Sequence, residues 1–527
     1  MFDLIIRNGW IVDGTGAEAF CGSVAVSQGR IAAVGQVENE AVRVFDASGQ
    51  VVAPGFIDIH SHTDTGLLID PRAESKLTQG ITLELCGNCG FSAGPVLDEP
   101  GRAELENWRR RHGVEERWES LDDFLRVLES REIGVNFATL VGHGNLRAAA
   151  VGLDNRQPSP DEVAAMKSLA AEAMRQGAFG LSTGLQYPPS CFGGTDEIAE
   201  VASAVAAFGG IYASHTRNER DRIVEADSEA VEIGRRAGVP VQISHHKGCG
   251  EGNQERTRAA LALIEDARRS GLDVTVDVYP YTASSTGLGI FLPEWAHDGG
   301  DQALLERIKT RRADLVEHLR ASSARGRPVW ESVVISGVRT EANRKFEGMN
   351  LAEVARRRGT SCEEAVLDLL VEESASVSIV HFAQWEKDVV EVMRSEFAMF
   401  GTDASARSTS GELAKGKPHP RAFGSFPRIL GRYVREQKLM PLETAIRKMT
   451  SMPARKLGLA DRGTIRTGNW ADLVVFDPET VIDTATYDNP HQICRGITWV
   501  FVNGRLAVEQ GELTGALAGR VLRKRHR

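Results

Sequence analysis

The chain has 527 residues, which is long for one typical domain but fits one large barrel with a smaller companion. Hydrophobic residues make up 42% and charged residues 25%, so a sizeable buried core is expected. The net charge of −10 argues against nucleic acid and anionic membranes as main partners, although a local basic pocket would still admit an anionic small substrate.

Three observations on the sequence favour a cytoplasmic location. The first residues lack a basic start followed by a long apolar stretch, so no secretory signal is expected. No apolar run reaches the roughly 18 residues that cross a bilayer. The seven cysteines are an odd number scattered over a large chain, which indicates free thiols in a reducing compartment.

Both ends of the chain have the pattern of short strands joined by glycine turns. Near the C-terminus, Asn503-Gly504 lies between two apolar runs and is a strong hairpin signal. Segments 1–54 and 456–527 are therefore predicted to pair into one small β-sandwich domain, with a frayed basic tail over 520–527.

The region between them, 55–455, alternates apolar strands with helical segments. This alternation predicts a parallel sheet, and eight strand–helix units predict an α/β fold of the (β/α)8 TIM-barrel type. The strand candidates are 55–62, 81–87, 136–143, 179–185, 210–215, 239–245, 272–279 and 397–403.

Helices and an insertion connect these strands. Helices are expected over 220–238 and 254–271, because each segment ends in two arginines followed closely by a glycine. Residues 287–396, between the seventh and eighth strands, are too many for a loop. They are expected to form a helical subdomain over the barrel mouth, with extra strand candidates at 333–338 and 377–383.

The first two strand candidates end in side chains that can bind metals. His60 and His62 are two apart on one strand, so both project to the same side. Alone, this pair fits a metal site or a polar barrel core. The second strand runs into Cys86 and Cys89, where a zinc-binding thiolate and an inert half-buried thiol fit the pattern equally well.

The fifth, sixth and eighth strands end in His215, His245-His246 and Asp403. Each histidine alone could be a satisfied core residue, and an aspartate after a strand is often a loop cap. However, the C-terminal ends of barrel strands converge on one mouth, and so many polar groups there are difficult to explain as packing. The combination predicts a metal site, and nitrogen and thiolate donors favour zinc over magnesium or calcium.

The sequence motifs together resemble those of a known family. The chain resembles the N-acyl-D-amino-acid deacylases (D-aminoacylases) of the amidohydrolase superfamily over nearly its whole length. Residues 54–62 are typical of the superfamily, and 463–465 and 471–474 resemble its return into the β-sandwich domain. The more specific motifs lie at 80–82, 87–90, 140–144, 181–189, 242–247, 418–421 and 424–428.

The resemblance implies a ligand set. One tightly held zinc would be bound by three residues, Cys89, His215 and His245. A weaker or vacant second position would use His60, His62 and Asp403, with Cys89 able to bridge. Many superfamily members use a carboxylated lysine instead, and the third and fourth strand candidates contain no lysine. Cys86 and His246 are expected to point away from the metal, because side chains alternate along a strand.

The resemblance also implies an activity, the zinc-dependent hydrolysis of an N-acyl-D-amino acid to a carboxylate and a free D-amino acid. Asp403 is expected to move the proton from the attacking water to the leaving amine. Zinc, with His143 nearby, is expected to stabilise the oxyanion. Tyr187 is expected to line the pocket, and the clamp for the substrate carboxylate is implied to be Lys247, Tyr279, Ser285 and Arg421.

Several alternatives stay open. From the residues alone, Lys247 could be a surface charge and Arg421 a structural ion pair, and the 404–417 loop departs from the family pattern. A related amidohydrolase could act on cyclic amides, dipeptides, N-acyl-D-glutamate or N-acyl-D-aspartate. A catalytically inactive barrel scaffold is a hypothesis from another class, but such a relative should have lost metal ligands, and this chain keeps all six.

Overall fold

Eight parallel strands frame the computed structural model, which describes residues 1–250, 252–325 and 328–525. The strands pair in chain order, and an isolated parallel bridge between Ser61 and Ala404 returns the eighth strand to the first. The sheet therefore closes into the predicted barrel. Its strands are Phe56–Asp58, Ile81–Cys86, Asn136–Thr139 continued by Val141–Gly142, Gly180–Gly184, Ile211–His215, Val241–Ile243, Val274–Val278 and Ala398–Phe400.

All eight predicted strands are confirmed, each shorter than its predicted range at one end or at both. The predicted helix stop at Gly238 is also confirmed, with φ of 70° in the left-handed region. The helices around the barrel are Gly66–Ile69, Glu74–Leu77, Glu99–His112, Leu121–Arg131, His143–Ala150, Pro160–Gln176, Thr195–Ala206, Ile223–Ala237, Gln254–Arg269, Glu386–Arg394, Arg421–Arg428 (continued by a π-helix, Ile429–Glu436), Leu442–Met449 and Ser451–Leu457.

Both chain ends join in one β-domain. Val51–Pro54 pairs antiparallel with Leu473–Phe476, which links the two segments into one nine-stranded sheet. The ring of Phe45 lies 5.2 Å from that of Phe501 on a strand that is not its neighbour, so this single sheet bends back over its own apolar core. Its other strands are Phe2–Ile11, Phe20–Ser27, Arg30–Gly35, Ala41–Asp46, Ile497–Val502, Arg505–Glu509 and Glu512–Leu513.

The insertion differs from the predicted helical subdomain. It has its own hydrophobic core and a three-stranded antiparallel sheet in the order Ser284–Gly287, Ser378–His381, Val333–Gly337. Two of these strands confirm the extra candidates. Helix Glu386–Arg394, inside the predicted insertion range, packs on the barrel instead. The helices of the insertion are Gly300–Thr310, Arg312–Ala324, Leu351–Arg358 and Cys362–Glu372.

The described part of the basic tail, residues 520–525, is docked, which corrects the prediction that this part is frayed. The backbone N–H of Phe137 donates to the carbonyl oxygen of Arg520 at 2.9 Å. The guanidinium of Arg523 pairs with Asp122 at 2.6 Å. These contacts hold the tail along the third barrel strand, because a backbone N–H of that strand donates to the tail and a neighbouring carboxylate accepts from it.

Some predictions reach beyond the described residues. The predicted insertion includes positions 326 and 327, and the predicted β-domain and tail include 526 and 527, all of which lie outside the described ranges. The domain boundaries at 54/55 and 455/456 stay predictions. Among the described residues, no helix combines the length and the apolar character needed to cross a bilayer.

Candidate metal centre and active site

Cys89 lies at the centre of a cluster of donors at the C-terminal end of the barrel. Its Sγ is 3.4 Å from His60 Nε2, 3.5 Å from His245 Nε2 and 3.7 Å from His215 Nδ1. These four side chains are buried. Among the described residues, three overlapping groups could hold a metal ion: His60, Cys89 and His245; His60, His62 and Asp403; and His215, Glu219 and His245.

The Cys89 thiol is in the state that binds metals. Burial alone would raise the pKa of the thiol, but the nearby His60 and His245 hold that pKa well below its ordinary value. The thiolate is the form that acts as a metal ligand. A thiolate among imidazole nitrogens is a donor set that suits zinc.

Asp403 contacts both the histidine donors and the guanidinium of Arg421. Its Oδ1 is 3.1 Å from His62 Nε2 and 3.6 Å from His60 Nε2, and its Oδ2 pairs with Arg421 Nη1 at 2.8 Å. Burial would raise the pKa of the carboxyl, but Arg421, helped by His245, holds that pKa well below its ordinary value. The carboxylate is therefore ionised and able to accept a proton beside the donors.

Three of the donors have left-handed backbone conformations. The φ angles are 53° at Cys89, 35° at His245 and 49° at Asp403, each just after the end of a barrel strand. Such a conformation costs a non-glycine residue about 1–3 kcal/mol and persists only where its surroundings impose it. Strain of this kind clusters at functional sites, so the backbone marks the same three residues as the side chains do.

Glycines of two motifs hold the Cys89 turn in place. A Cβ added to Gly184 would lie 2.1 Å from the carbonyl oxygen of Cys89, and a Cβ added to Gly142 would lie 2.4 Å from that of Gly90. No side chain fits at either position, because the backbone of the turn is in direct contact with the third and fourth strands. The motifs around Gly142 and Gly184 therefore position the thiolate.

His143 lies beside two other side chains of the protein. This histidine is fully buried, with Nδ1 3.0 Å from Ser190 Oγ and Nε2 3.2 Å from Glu197 Oε1. Glu197 also accepts a hydrogen bond from Arg147 at 3.0 Å. Both ring nitrogens lie close to these side chains at the start of helix His143–Ala150, and a part for His143 in stabilising the oxyanion stays a prediction.

Two carboxylates that the sequence analysis passed over orient the histidines. Asp277 Oδ1 is 3.1 Å from His60 Nδ1 and accepts a hydrogen bond from the backbone N–H of His245 at 2.8 Å. Glu219 Oε1 is 2.9 Å from His245 Nδ1 and 2.5 Å from Lys247 Nζ. Metal-binding histidines usually make such a contact through the second ring nitrogen. The signal for Asp277 was an acidic residue inside the otherwise apolar seventh strand.

Replacing Asp277 by asparagine is expected to weaken zinc binding at the position formed by His60, His62 and Asp403 by about 10–100-fold, because the charged partner that orients His60 is lost. The affinity is measured by competition with a chelator of known strength. Asp273→Asn is the matched control, since Asp273 lies just before the other end of the same strand and is largely exposed. An Asp277→Asn protein with wild-type zinc affinity would contradict this role.

A buried ion pair fixes the first strand to the eighth beneath the donors. Lys76 Nζ lies 2.7 Å from Asp58 Oδ2, 3.5 Å from Glu84 Oε2 and 2.9 Å from Thr402 Oγ1. The lysine and both carboxylates are fully buried, so removing one partner would leave an uncompensated charge. This network holds the segments that carry His60 and Asp403 next to each other.

A cavity of about 320 Å³ opens beside the donors. Four predicted substrate residues line it together with Cys89, His215 and His245: Lys247, Ser285, Arg421 and Tyr187. The insertion covers the cavity, because Tyr187 Oη lies 3.0 Å from Thr286 Oγ1 of the insertion sheet. A larger cavity of about 620 Å³, lined in part by the 404–417 loop, adjoins it at His62, Ser285, Asp403 and Arg421.

Among the residues singled out by sequence, those that lie outside the smaller cavity include Tyr279, His246 and Cys86. The guanidinium of Arg421 lies 4.6 Å from the ring centroid of Tyr279, which is not among the described residues that line the cavity, so its contact with substrate stays a prediction. His246 Nε2 pairs with Asp227 at 2.8 Å, and Cys86 lies in the hydrophobic core. Both face away from the donors, as strand alternation predicted.

Comparison with known proteins identifies the family to which the chain is similar. The model of the amidohydrolase family matches residues 43–508. D-aminoacylase of Alcaligenes xylosoxydans xylosoxydans is 39% identical over 524 residues, 99% of this chain and 97% of that protein. N-acyl-D-glutamate deacylase of the same organism is 37% identical over 523 residues, covering 99% and 96% of the two chains.

A solved structure extends the similarity to three dimensions. It is N-acyl-D-glutamate deacylase from Bordetella bronchiseptica, complexed with zinc and a phosphonate inhibitor that mimics the tetrahedral intermediate. The two chains are 36% identical and superpose with a TM-score of 0.83 over 99% of each. The protein therefore belongs to the amidohydrolase family and, within it, to the group that contains D-aminoacylase, which confirms the resemblance seen in the sequence.

Proposed function

We propose that the protein hydrolyses the amide bond of N-acyl-D-amino acids in a zinc-dependent reaction, releasing a carboxylate and a free D-amino acid. The observation that carries the proposal is the position of the Cys89 thiolate within 3.4–3.7 Å of nitrogens from three histidines, beside a cavity of about 320 Å³. A relative of similar structure holds zinc and an inhibitor that mimics the tetrahedral intermediate.

The spacing of the donors supports a zinc site. Tetrahedral zinc with ordinary Zn–S and Zn–N bonds separates sulfur and nitrogen by about 3.5 Å. The distances from Cys89 to the three histidine nitrogens lie on both sides of that value. We assign the tight site to Cys89, His215 and His245, and a second, weaker position to His60, His62 and Asp403, with His60 close enough to Cys89 for the two positions to share the sulfur.

Asp403 is the residue that moves the proton. Zinc in this donor set would supply a Lewis acid that polarises the amide carbonyl and makes water acidic enough to attack it. Asp403 accepts the proton of the attacking water and delivers it to the leaving nitrogen, since its ionised carboxylate faces both the donors and the cavity. Arg421, at 2.8 Å, fixes the orientation of that carboxylate.

The substrate carboxylate is held by cations of the cavity wall. Arg421 presents a planar guanidinium suited to a carboxylate, and Lys247 adds a second positive charge beside it. Ser285 lies on the same wall, and Tyr187 bounds the cavity on the side of the fourth strand. The guanidinium of Arg421 stacks on the ring of Tyr279, which helps to hold it in place.

Replacing Arg421 by alanine is expected to raise KM for N-acetyl-D-amino acids by about 10–100-fold, because one charge-assisted hydrogen-bond pair is lost. Steady-state kinetics on N-acetyl-D-leucine and on its C-terminal amide provide the measurement. The amide lacks the carboxylate, so its KM should change little. Equal changes in KM for acid and amide would show that the clamp lies elsewhere.

The test of the proposed function is release of free D-amino acid from matched panels of N-acetyl-D- and N-acetyl-L-amino acids by the zinc-loaded protein. Hydrolysis restricted to the D series is the expected result. Turnover of cyclic ureides alone would favour a cyclic amidohydrolase, and a protein that binds no zinc and turns over nothing would favour the scaffold hypothesis.

We also propose a cytoplasmic location. All seven cysteines are unpaired in the structure. Two of them, Cys89 and Cys249, are buried and line the smaller cavity. A catalytic thiolate of this kind is preserved where thiols stay reduced, so the location follows from the chemistry of the site.

A further inference from the structure

Arg220 is a cation of the smaller cavity that the reaction described above does not use. It follows Glu219 in the loop after the fifth strand and is half-buried, lining the same cavity as Cys89 and His215. Among the residues that the structure describes, its guanidinium makes no ion pair and no side-chain hydrogen bond. A guanidinium without a partner in a cavity is available to an anionic ligand.

The other arginine and lysine side chains that line the cavity are already paired with carboxylates. Asp403 lies 2.8 Å from Arg421, and Glu219 lies 2.5 Å from Lys247. Arg220 is therefore the one arginine or lysine among the described residues of the cavity lining that no carboxylate of the protein accompanies. A carboxylate of the substrate, bound at Arg220, would supply the partner that the protein does not.

The wall next to Arg220 is apolar. Ile290 and Phe291 of the insertion line the cavity together with His381, and the rings of Phe291 and His381 lie 5.5 Å apart. Burial and the positive charge of Arg220 lower the pKa of His381 to about 3, so this imidazole is neutral and adds no charge. The wall therefore offers apolar contact for methylene groups and then a cation.

We propose that Arg220 binds the side-chain carboxylate of the substrate, so that the preferred substrates are N-acyl-D-amino acids with acidic side chains. This inference rests on the proposed function and specifies its substrate class. The α-carboxylate lies at Arg421, and the methylene groups of a glutamate or aspartate side chain pack against Ile290 and Phe291. The second carboxylate then reaches the guanidinium of Arg220.

The experiment compares kcat/KM of the zinc-loaded protein on isosteric pairs, N-acetyl-D-glutamate with N-acetyl-D-glutamine and N-acetyl-D-aspartate with N-acetyl-D-asparagine. Wild-type protein is expected to prefer at least one acid over its amide by about tenfold or more, because hydrogen bonds to charged groups are the strong ones. Arg220→Met should remove that preference and leave kcat/KM for the amides within about twofold of wild type. Arg222→Met, at an exposed position two residues away, is the matched control and should behave as wild type.

A charge reversal gives a positive readout. Arg220→Glu is expected to raise kcat/KM for N-acetyl-D-lysine relative to N-acetyl-D-glutamate by about tenfold or more, because the sign of the pocket charge is inverted. Wild-type protein with no preference for an acid over its amide would overturn the inference. An equal loss on acids and amides in Arg220→Met would overturn it too, since Arg220 would then hold the α-carboxylate. Hydrolysis of no N-acyl-D-amino acid at all is a separate result, which overturns the proposed function itself.

Discussion

Replacing Asp403 by alanine is expected to lower kcat by about 10³-fold, within the range of roughly 10²–10⁴-fold that a positioned acid–base group contributes. The zinc content should stay near that of the wild type, because Cys89, His215 and His245 keep their positions. The measurements are turnover of N-acetyl-D-amino acids and the metal content of the same preparation. Loss of activity without loss of metal is the result that assigns proton transfer to this carboxylate.

Two further variants separate chemistry from structure. Asp403→Asn keeps the shape of the side chain and should be as inactive as Asp403→Ala, since an amide cannot accept the proton. Asp196→Ala removes a carboxylate that is 90% exposed and should keep full activity. Wild-type turnover in Asp403→Ala would refute the role of the carboxylate, and parallel loss of zinc would make Asp403 a ligand of the tight site.

The barrel could be predicted because its signals are local. Strands covered on both faces give short apolar runs, and glycines after arginines mark the ends of the helices between them. The donors at the strand ends could be predicted for the same reason, because parallel strands carry their last residues to one mouth. Cys89, His215 and His245 are therefore close in space although long stretches of chain separate them.

The partners of those donors could not be predicted from the pattern. Glu219 lies in a loop, and Asp277 lies inside a strand, so neither stands at a position where the pattern marks chemistry. Their roles depend on which side chains meet across the barrel, and strand periodicity does not specify such contacts. The contact of His143 with Glu197 is another that the pattern does not indicate, although His143 follows an apolar strand and lies in a family motif.

Two strands of the insertion could be predicted from the sequence, but the three-stranded sheet that contains them could not. Its candidates at 333–338 and 377–383 were recognised, but the third strand, Ser284–Gly287, has no apolar character and is formed by pairing with Ser378–His381. Pairing of this kind is decided by tertiary contacts rather than by propensity. It matters for function, because this strand carries Ser285 and Thr286 to the cavity.

Replacing Cys89 by alanine is expected to abolish zinc binding and, with it, activity. The sulfur lies within 3.4–3.7 Å of nitrogens from three histidines, so its loss removes the donor around which these nitrogens are arranged. Loss of an outer-shell partner costs about 10–100-fold in metal affinity, and loss of a direct ligand should cost more. Zinc content after dialysis, and turnover before and after zinc is added back, provide the measurement.

Cys86 is the matched control for this experiment. It is as deeply buried as Cys89 and lies three residues before it, but it faces the hydrophobic core. Cys86→Ala should therefore keep its zinc and its turnover, at a cost in stability of about 1–2 kcal/mol for the small cavity that it creates. The contrast isolates the thiolate, because both variants remove one buried sulfur and only one of them removes a donor. If Cys89→Ala retained one zinc per chain and wild-type turnover, the three histidines would bind metal without the sulfur, and the assignment of the tight site would be wrong.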